Sequence, residues 1–338
     1  MSSLKTKYNR LIKELRNIIE PKSIALVGAS DSLNKVGGVI TRNLLSSEYR
    51  GKIYLVNPRK KMIMNRKVYS SLLDIPENID LVEIVVPAQY TIEVVKDAAK
   101  KNVKGIIIIS SGFAEVGNKK LQNEIVKIAR ETGIRVIGPN CFGVVNTSIS
   151  LDLTFTFTKA LPGHIAFISQ SGAMCCGALD WASTLELGFS KFINLGNKCD
   201  VDEGDLLPYL AEDDETKVIA MYIEGIKNGR KFLEFAKETV KRKPILAIKS
   251  GVSEAGIRAA KSHTGSLAGS DNIVEGAFRQ AGIIRVWSIE ELFNTAIAFI
   301  NQSLPKGKNI AIISNAGGLG VLTSDWCSRL GLNIPPFN

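Results

Sequence analysis

The sequence predicts an α/β protein built from two successive doubly wound units. Short β-branched runs alternate with amphipathic segments along the chain, as in parallel strands joined by covering helices. The alternation is interrupted once, by a hydroxyl-rich stretch from Asn146 to Lys159 and the punctuating Leu161-Pro162-Gly163, and then restarts. At 338 residues the chain has room for about two domains of roughly 150 residues, with a remnant of a third.

The first half reads as a helix over Lys5–Ile19, then strands at Ser23–Val27, Ile53–Val56, Leu81–Val86, Gly105–Ile109 and Arg135–Ile137. Helices are expected at Thr91–Lys101 and Lys119–Thr132. After the interruption, strands are expected at His164–Ile168, Lys191–Asn194, Val218–Tyr222, Ile245–Ile248 and Ile283–Val286. A turn at Pro305-Lys306-Gly307 then leads to a strand at Asn309–Ser314 and a helix from about Gly318. One βα unit cannot bury both faces of its sheet, so this last piece either docks on the second unit or begins a third α/β domain that stops short. The expected division is 1–145, 146–304 and 305–338.

Composition narrows the function classes. The net charge of +10, from 43 basic and 33 acidic residues, suits anionic ligands. The basic residues are dispersed and no basic run is interleaved with aromatics, which argues against nucleic acid. Apolar runs such as Gly105–Ile109 are far shorter than the ~20 residues that span a bilayer. The start is charged (Lys5, Lys7, Arg10, Lys13, Glu14) and lacks a hydrophobic leader, so a soluble, cytoplasmic protein is expected. Cys141, Cys175, Cys176, Cys199 and Cys327 form no C-x-x-C pair and only two histidines accompany them, so neither a metal site nor a disulfide framework is expected.

The first strand runs into Gly28-Ala29-Ser30, with Gly37-Gly38 opening the next helix, a turn that lets backbone N–H groups approach phosphate. A plain tight turn needs glycine as well. Ser30 stands where a dinucleotide fingerprint has its second glycine. Strand two ends in Asn57-Pro58-Arg59-Lys60-Lys61, where an NAD site wants an acid. A basic end welcomes a further phosphate, as on CoA or NADP, although solvated charges read the same way. Val86-Pro87-Ala88, Ser110-Ser111-Gly112 and Gly138-Pro139-Asn140-Cys141 end further strands, where open α/β sheets bind ligands.

The second unit carries His263 in Ser262–Gly269, a loop poor in core anchors. An exposed neutral imidazole can attack phosphorus, and a carboxylate on its other nitrogen would support the charge that develops. Glu224, at a strand end, could supply that carboxylate; an ordinary acid in a turn is the alternative. Gln170, Ser171 and Gly172 at a strand-to-helix turn offer an anion site, or simply a hydroxyl-capped helix. Cys175 and Cys176 on that helix read as core fillers, and His164 as structural.

Ser262–Gly269 (SHTGSLAG), Ile168–Gly172 (ISQSG), Tyr222–Gly225 (YIEG) and Gly138–Asn140 (GPN) resemble the α subunit, or fused equivalent, of the NDP-forming, chiefly ADP-forming, acetate–CoA ligases and acyl-CoA synthetases. That family is in turn similar to the succinyl-CoA ligase α subunit. The resemblance runs from about Pro21 to Gly331. It implies a Rossmann-like CoA-binding domain followed by a flavodoxin-like doubly wound domain. It also implies a phosphorylated His263 partnered by Glu224, with phosphate at Gln170, Ser171 and Gly172. CoA contacts would fall at Gly28, Ser30, Asn57, Pro58, Lys60, Val86, Pro87, Ser110, Asn140 and Cys141. The implied reaction interconverts acyl-CoA, phosphate and ADP with carboxylic acid, CoA and ATP. ADP or ATP, with Mg, would sit on an ATP-grasp β subunit in an α2β2 heterotetramer. A non-catalytic CoA-sensing or scaffold module and an NADP-dependent oxidoreductase are the competing readings.

Overall fold

The structure, a computed structural model, describes residues 2–256, 258 and 271–336. It falls into two compact units, Met1–Ile300 and Asn301–Asn338. The larger begins with α1 (Ser2–Ile19), β1 (Ser23–Val27), α2 (Val36–Ser46), β2 (Lys52–Val56), β3 (Met62–Ile63) and β4 (Arg66–Tyr69). β5 (Leu81–Ile84), α3 (Ala88–Lys100), β6 (Gly105–Ile108), α4 (Lys119–Thr132) and β7 (Arg135–Ile137) follow. These strands form one sheet in the order β3-β4-β2-β1-β5-β6-β7, parallel except for β3. Counting its parallel strands along the chain gives 3-2-1-4-5-6, the dinucleotide-fold order, with the reversal between β1 and β5.

The second sheet uses β8 (Val144–Asn146), β9 (Leu151–Asp152), β10 (Leu161–Ser169), β11 (Gly188–Asn194), β12 (Val218–Ile223), β13 (Ile245–Lys249) and β14 (Ile284–Arg285). Its order is β14-β13-β12-β10-β11-β8-β9. β10 to β14 are parallel and run 2-1-3-4-5, the flavodoxin-like order, with β8 and β9 antiparallel beyond β11. Its described helices are α5 (Gly172–Thr184), α6 (Glu203–Glu212), α7 (Gly229–Thr239), α8 (Asp271–Ala281) and α9 (Ile289–Asn301). The central strands β1, β5, β6 and β13 are buried along their whole length, as expected for parallel strands covered on both faces.

Several elements depart from the sequence reading. Leu161-Pro162-Gly163 opens β10 instead of separating domains. The register shifts beside Gly163, where an added Cβ would lie 2.3 Å from the Gly188 carbonyl carbon. Proline near a strand start and glycine at a bulge are the tolerated positions for both. The hydroxyl-rich stretch begins at the last residue of the short strand β8 and holds β9. The β3–β4 hairpin was not anticipated either; its two-residue turn, Met64-Asn65, takes positive φ at both positions without the usual glycine. α3 starts three residues earlier than expected because Pro87 stands at its N-cap, where a missing N–H costs nothing.

In the smaller unit, α10 (Gly317–Arg329) forms as expected, but Asn309–Ser314 is not a strand. Only an isolated parallel bridge, Asn309 to Asn333, is made, and Ile313 is 94% exposed. Among the described residues the β-branched run finds no further ladder partner.

One apolar core joins the two sheets, with Ile18 of α1, Leu26, Ile107, Ile193 and Met221 among its members. Within the larger unit Glu83 of β5 is fully buried, and neither carboxylate oxygen has a partner among the described residues. Burial, with a smaller contribution from Asp152, holds its pKa well above the ordinary glutamate value. A raised folded-state pKa gives a stability contribution complete below about pH 4, lost as pH climbs toward that raised value. Glu83→Gln is therefore expected to gain stability over the parent progressively as pH rises from about 5 to 8. Urea melts at several pH values test this, and parallel stability curves would contradict it.

Candidate functional site

Both sheets deliver their carboxyl ends to one cavity of about 1100 Å³ within the larger unit. From the first sheet come Val86 and Pro87 after β5, Ser110 after β6, and Asn140 and Cys141 after β7. From the second come Gln170, Ser171 and Gly172 between β10 and α5, and Glu224 after β12. The order reversals lie at β1/β5 and β10/β12, so the cavity spans the two places where doubly wound folds bind ligands.

The first-sheet lip is knitted by its own polar groups. The Ser110 hydroxyl donates to the Val86 carbonyl, and the Asn140 N–H donates to Ser110 O at 2.9 Å. Asn140 takes φ +57°, a left-handed conformation that asparagine tolerates. The Cys141 thiol is buried and donates to Ile108 O at 3.2 Å. Burial, with the nearby Glu83 carboxyl adding to it, pushes the thiol pKa far up, so Cys141 is wall rather than nucleophile.

The remaining expected CoA contacts are absent from this cavity lining. Gly28 and Ser30 lie in the β1–α2 loop, and Asn57, Pro58 and Lys60 in the loop after β2. The two loops are tied together by Asn57 Nδ2 donating to Ala29 O at 2.8 Å and by Lys60 Nζ at 3.1 Å from Asp31. Asp31 was not weighed in the sequence reading, and it offsets part of the basic character expected there. Val36, the first residue of α2, connects this loop pair to the cavity wall.

On the second-sheet side, Ser171 caps α5 by accepting from the Met174 N–H at 3.3 Å. The first N–H groups of a helix have no intrahelical partner and carry the positive end of its dipole. Gly172 and Ala173 therefore present an anion-binding end to the cavity. Gln170 also lines the cavity, and its side-chain amide is bonded within the protein. Its Oε1 accepts from the N–H of Glu224 at 2.8 Å and Gly225 at 3.0 Å, while Nε2 donates to Gly225 O at 2.9 Å and Glu203 at 3.2 Å. The amide is fully engaged, by the turn that carries Glu224 and by Glu203. His263 and the whole Ser262–Gly269 stretch lie outside the described residues.

Sequence reasoning missed four residues that shape the site. Lys198 and Glu203 form a buried ion pair at 3.0 Å, with side chains 7% and 2% exposed. The buried Asn194 accepts from the Phe142 N–H at 2.7 Å and donates to Ser169 O at 2.9 Å, locking the floor. Glu115 lines the cavity, accepting from Gly112 N–H at 2.6 Å and Asn197 Nδ2 at 2.5 Å. Burial alone would raise the Glu115 pKa, but bonds from Asn197 and the backbone lower it. None of these has a sequence signal, since each acts through a partner remote in the chain or in an irregular loop.

Two glycines at the site have opposite demands. A Cβ on Gly37 would lie 2.1 Å from Gly28 O, whereas one on Gly172 meets nothing nearer than 3.8 Å. Gly37→Ala is expected to cost about 1–3 kcal/mol in chemical denaturation, as overpacking does. Gly172→Ala is expected to be neutral or to gain up to about 1 kcal/mol, because alanine suits a helix better. Equal costs at both positions would contradict the account of the turn.

Comparisons with known proteins agree with this architecture. Residues 22–147 match the family model described as a CoA binding domain. Residues 162–299 match that of the succinyl-CoA ligase like flavodoxin domain. The chain is 48% identical over 324 residues to an ADP-forming acetate–CoA ligase of Methanocaldococcus jannaschii, covering 96% of this chain and 46% of that protein. It is 45% identical to the α subunit of ADP-forming acetate–CoA ligase I of Pyrococcus furiosus, covering 95% of this chain and 71% of that one. Thus the chain spans about half the length of the first relative and most of the second. Among solved structures it resembles the dinucleotide forming acetyl-coenzyme A synthetase 1 of Ca. Korarchaeum cryptofilum in complex with phosphate and ADP. That match has TM-score 0.91 and 41% identity, over 95% of this chain and 70% of that one. The chain belongs to the family of ADP-forming acetate–CoA ligases.

Proposed function

We propose that this chain is the CoA-binding, phosphohistidine-carrying part of an ADP-forming acyl-CoA synthetase. The observation that carries the reading is the single cavity at which a CoA-domain sheet end, the amino end of α5 and Glu224 converge. Residues 1–145 would hold CoA, 146–304 would carry the phosphoryl chemistry, and 305–338 would belong to a further α/β domain. A β subunit with an ATP-grasp fold would bind ADP or ATP with Mg, in an α2β2 assembly; the subunit naming of the Pyrococcus furiosus relative supports a partner chain.

The chemistry follows from the groups present. A phosphate oxygen attacks the thioester carbon of acyl-CoA, the C–S bond breaks, and CoA thiol leaves with a proton from phosphate, giving acyl phosphate. A neutral ring nitrogen of His263 then attacks phosphorus, and the carboxylate departs. Attack of ADP on the phosphohistidine forms ATP and restores the imidazole. Phosphoryl transfer needs positioning and charge stabilisation more than proton transfer. The α5 amino end supplies the anion site, and Glu224 would hold the imidazole and balance its developing positive charge. Ser110, Asn140 and Cys141 would line the path of the CoA thiol arm, with the Gly28, Ser30, Asn57, Pro58 and Lys60 loops receiving its nucleotide phosphates.

The test is incubation with labelled phosphate and a panel of acyl-CoA thioesters. The expected result is a base-stable, acid-labile label on the parent chain that is absent from His263→Asn. Glu224→Gln is expected to slow its appearance on the order of a hundredfold, the scale of a lost electrostatic partner in such a site. A chain that takes no label from any thioester, with or without its partner subunit, would overturn the reading.

A further inference from the structure

We infer that Gln170 is a positioning residue, setting where Glu224 stands during phosphoryl transfer rather than touching phosphate itself. The inference rests on the reading that Glu224 serves that step. Gln170 follows the end of β10 and Glu224 that of β12, the strands flanking the order reversal of the second sheet. The Gln170 N–H donates to Tyr222 O at 3.2 Å, continuing the pairing of the two strands. Beyond that point the ladder stops, and among the described residues no further strand pairs with the turn carrying Glu224 on this side.

The Gln170 side chain takes the place of the missing ladder. Its oxygen accepts from two successive N–H groups, those of Glu224 and Gly225. Its nitrogen donates to the Gly225 carbonyl. Lys198 Nζ donates to that same carbonyl from another direction. On the far side, Ile223 O accepts from the Ser250 N–H at 3.0 Å. The backbone bearing Glu224 is thus held by partners on both sides, and its side chain lines the cavity from that support.

The identity of the residue follows from its duties. It must accept twice, donate twice and carry no charge, and glutamine alone combines these at this length. Its second donor reaches Glu203 Oε2 at 3.2 Å, and Glu203 is neutralised by Lys198 at 3.0 Å. A carboxylate at position 170 would keep both acceptor bonds. It would lose both donors and face Glu203 as a like charge, which raises the pKa of one of the pair. Protonated, the same side chain regains one donor and loses the repulsion. The fixed turn therefore predicts a pH signature that a purely stabilising residue lacks.

The experiment uses the full chain with labelled phosphate and the thioester that labels it fastest, comparing Gln170→Met, Gln170→Glu and the parent from pH 5 to 8. Gln170→Met keeps the side-chain length without the bonds and is expected to label His263 on the order of a hundredfold more slowly at every pH, the cost of an ångström-scale misplacement. Gln170→Glu is expected to approach the parent rate at pH 5 and fall away from it as pH rises and the new carboxyl ionises. CoA affinity by calorimetry is expected to stay within about twofold of the parent in both variants, because the first sheet carries that site. Parent-like labelling by Gln170→Met would overturn the inference. So would a Gln170→Glu to parent ratio that is flat with pH, or CoA affinity lost in step with labelling, either of which marks a structural role alone. A parent chain that takes no label overturns the proposed function and this inference with it.

Discussion

The site depends on a backbone seam between the two sheets. The N–H groups of Asn197, Cys199 and Val201 donate to the carbonyls of Pro139, Gly138 and Val136 at 2.8, 2.9 and 3.1 Å. The loop after β11 thereby covers the open edge of β7, which would otherwise present unpaired backbone groups. Gly196 makes the approach possible. It sits at φ +52°, where a Cβ would come within 2.4 Å of the carbonyl oxygens of Pro139 and Asn140. Arg135 adds a charged clasp, reaching Glu14 at 2.8 Å, Asp200 at 2.9 Å and Asp205 at 3.3 Å. The seam lies where the carboxyl ends of the two sheets meet at one cavity.

Two lysines beside the cavity hold its loops, one buried and one exposed. Lys198 neutralises Glu203 and grips the Glu224 turn; Lys227 donates to the carbonyls of Asn197 at 3.0 Å and Lys198 at 2.6 Å, pinning the seam loop. Partial desolvation of its stem, and then the charge of Lys198, lowers the Lys227 pKa from its usual value. Buried pairs of this kind contribute little net stability, since desolvation offsets the attraction, but removing one partner is costly. They suit a site in which geometry, rather than a titrating acid or base, carries the reaction.

The fold class was readable because parallel strands covered on both faces leave continuous aliphatic runs, as in Ile106–Ile108 and Ile245–Ile248. The strand ends were readable because glycine, proline and asparagine mark places where the backbone turns, as at Gly28 and Asn140. What escaped was set by tertiary contact. Leu161-Pro162-Gly163 reads locally as a break, yet it pairs with Gly188 and Phe189 as a bulged strand. Asn309–Ser314 reads locally as a strand, yet among the described residues of its own unit it makes only the isolated bridge to Asn333. Gln170 was grouped with Ser171 and Gly172 because the three share one strand-to-helix turn; the side-chain bonds of Gln170 to the Glu224 and Gly225 N–H groups leave no trace in that local pattern. Asp31 beside Lys60 shows the same limit, because a salt link between two loops leaves no trace in a local pattern.

The central claim is that one cavity receives the thiol end of CoA and an inorganic phosphate together. A crystal structure of the chain with CoA and phosphate tests it most directly. The account predicts the thiol arm running past Ser110 and Asn140 toward Cys141, with the phosphate against the N–H groups of Gly172 and Ala173 and within reach of Glu224. A CoA arm that ends outside this cavity, or a phosphate bound away from the amino end of α5, would contradict it.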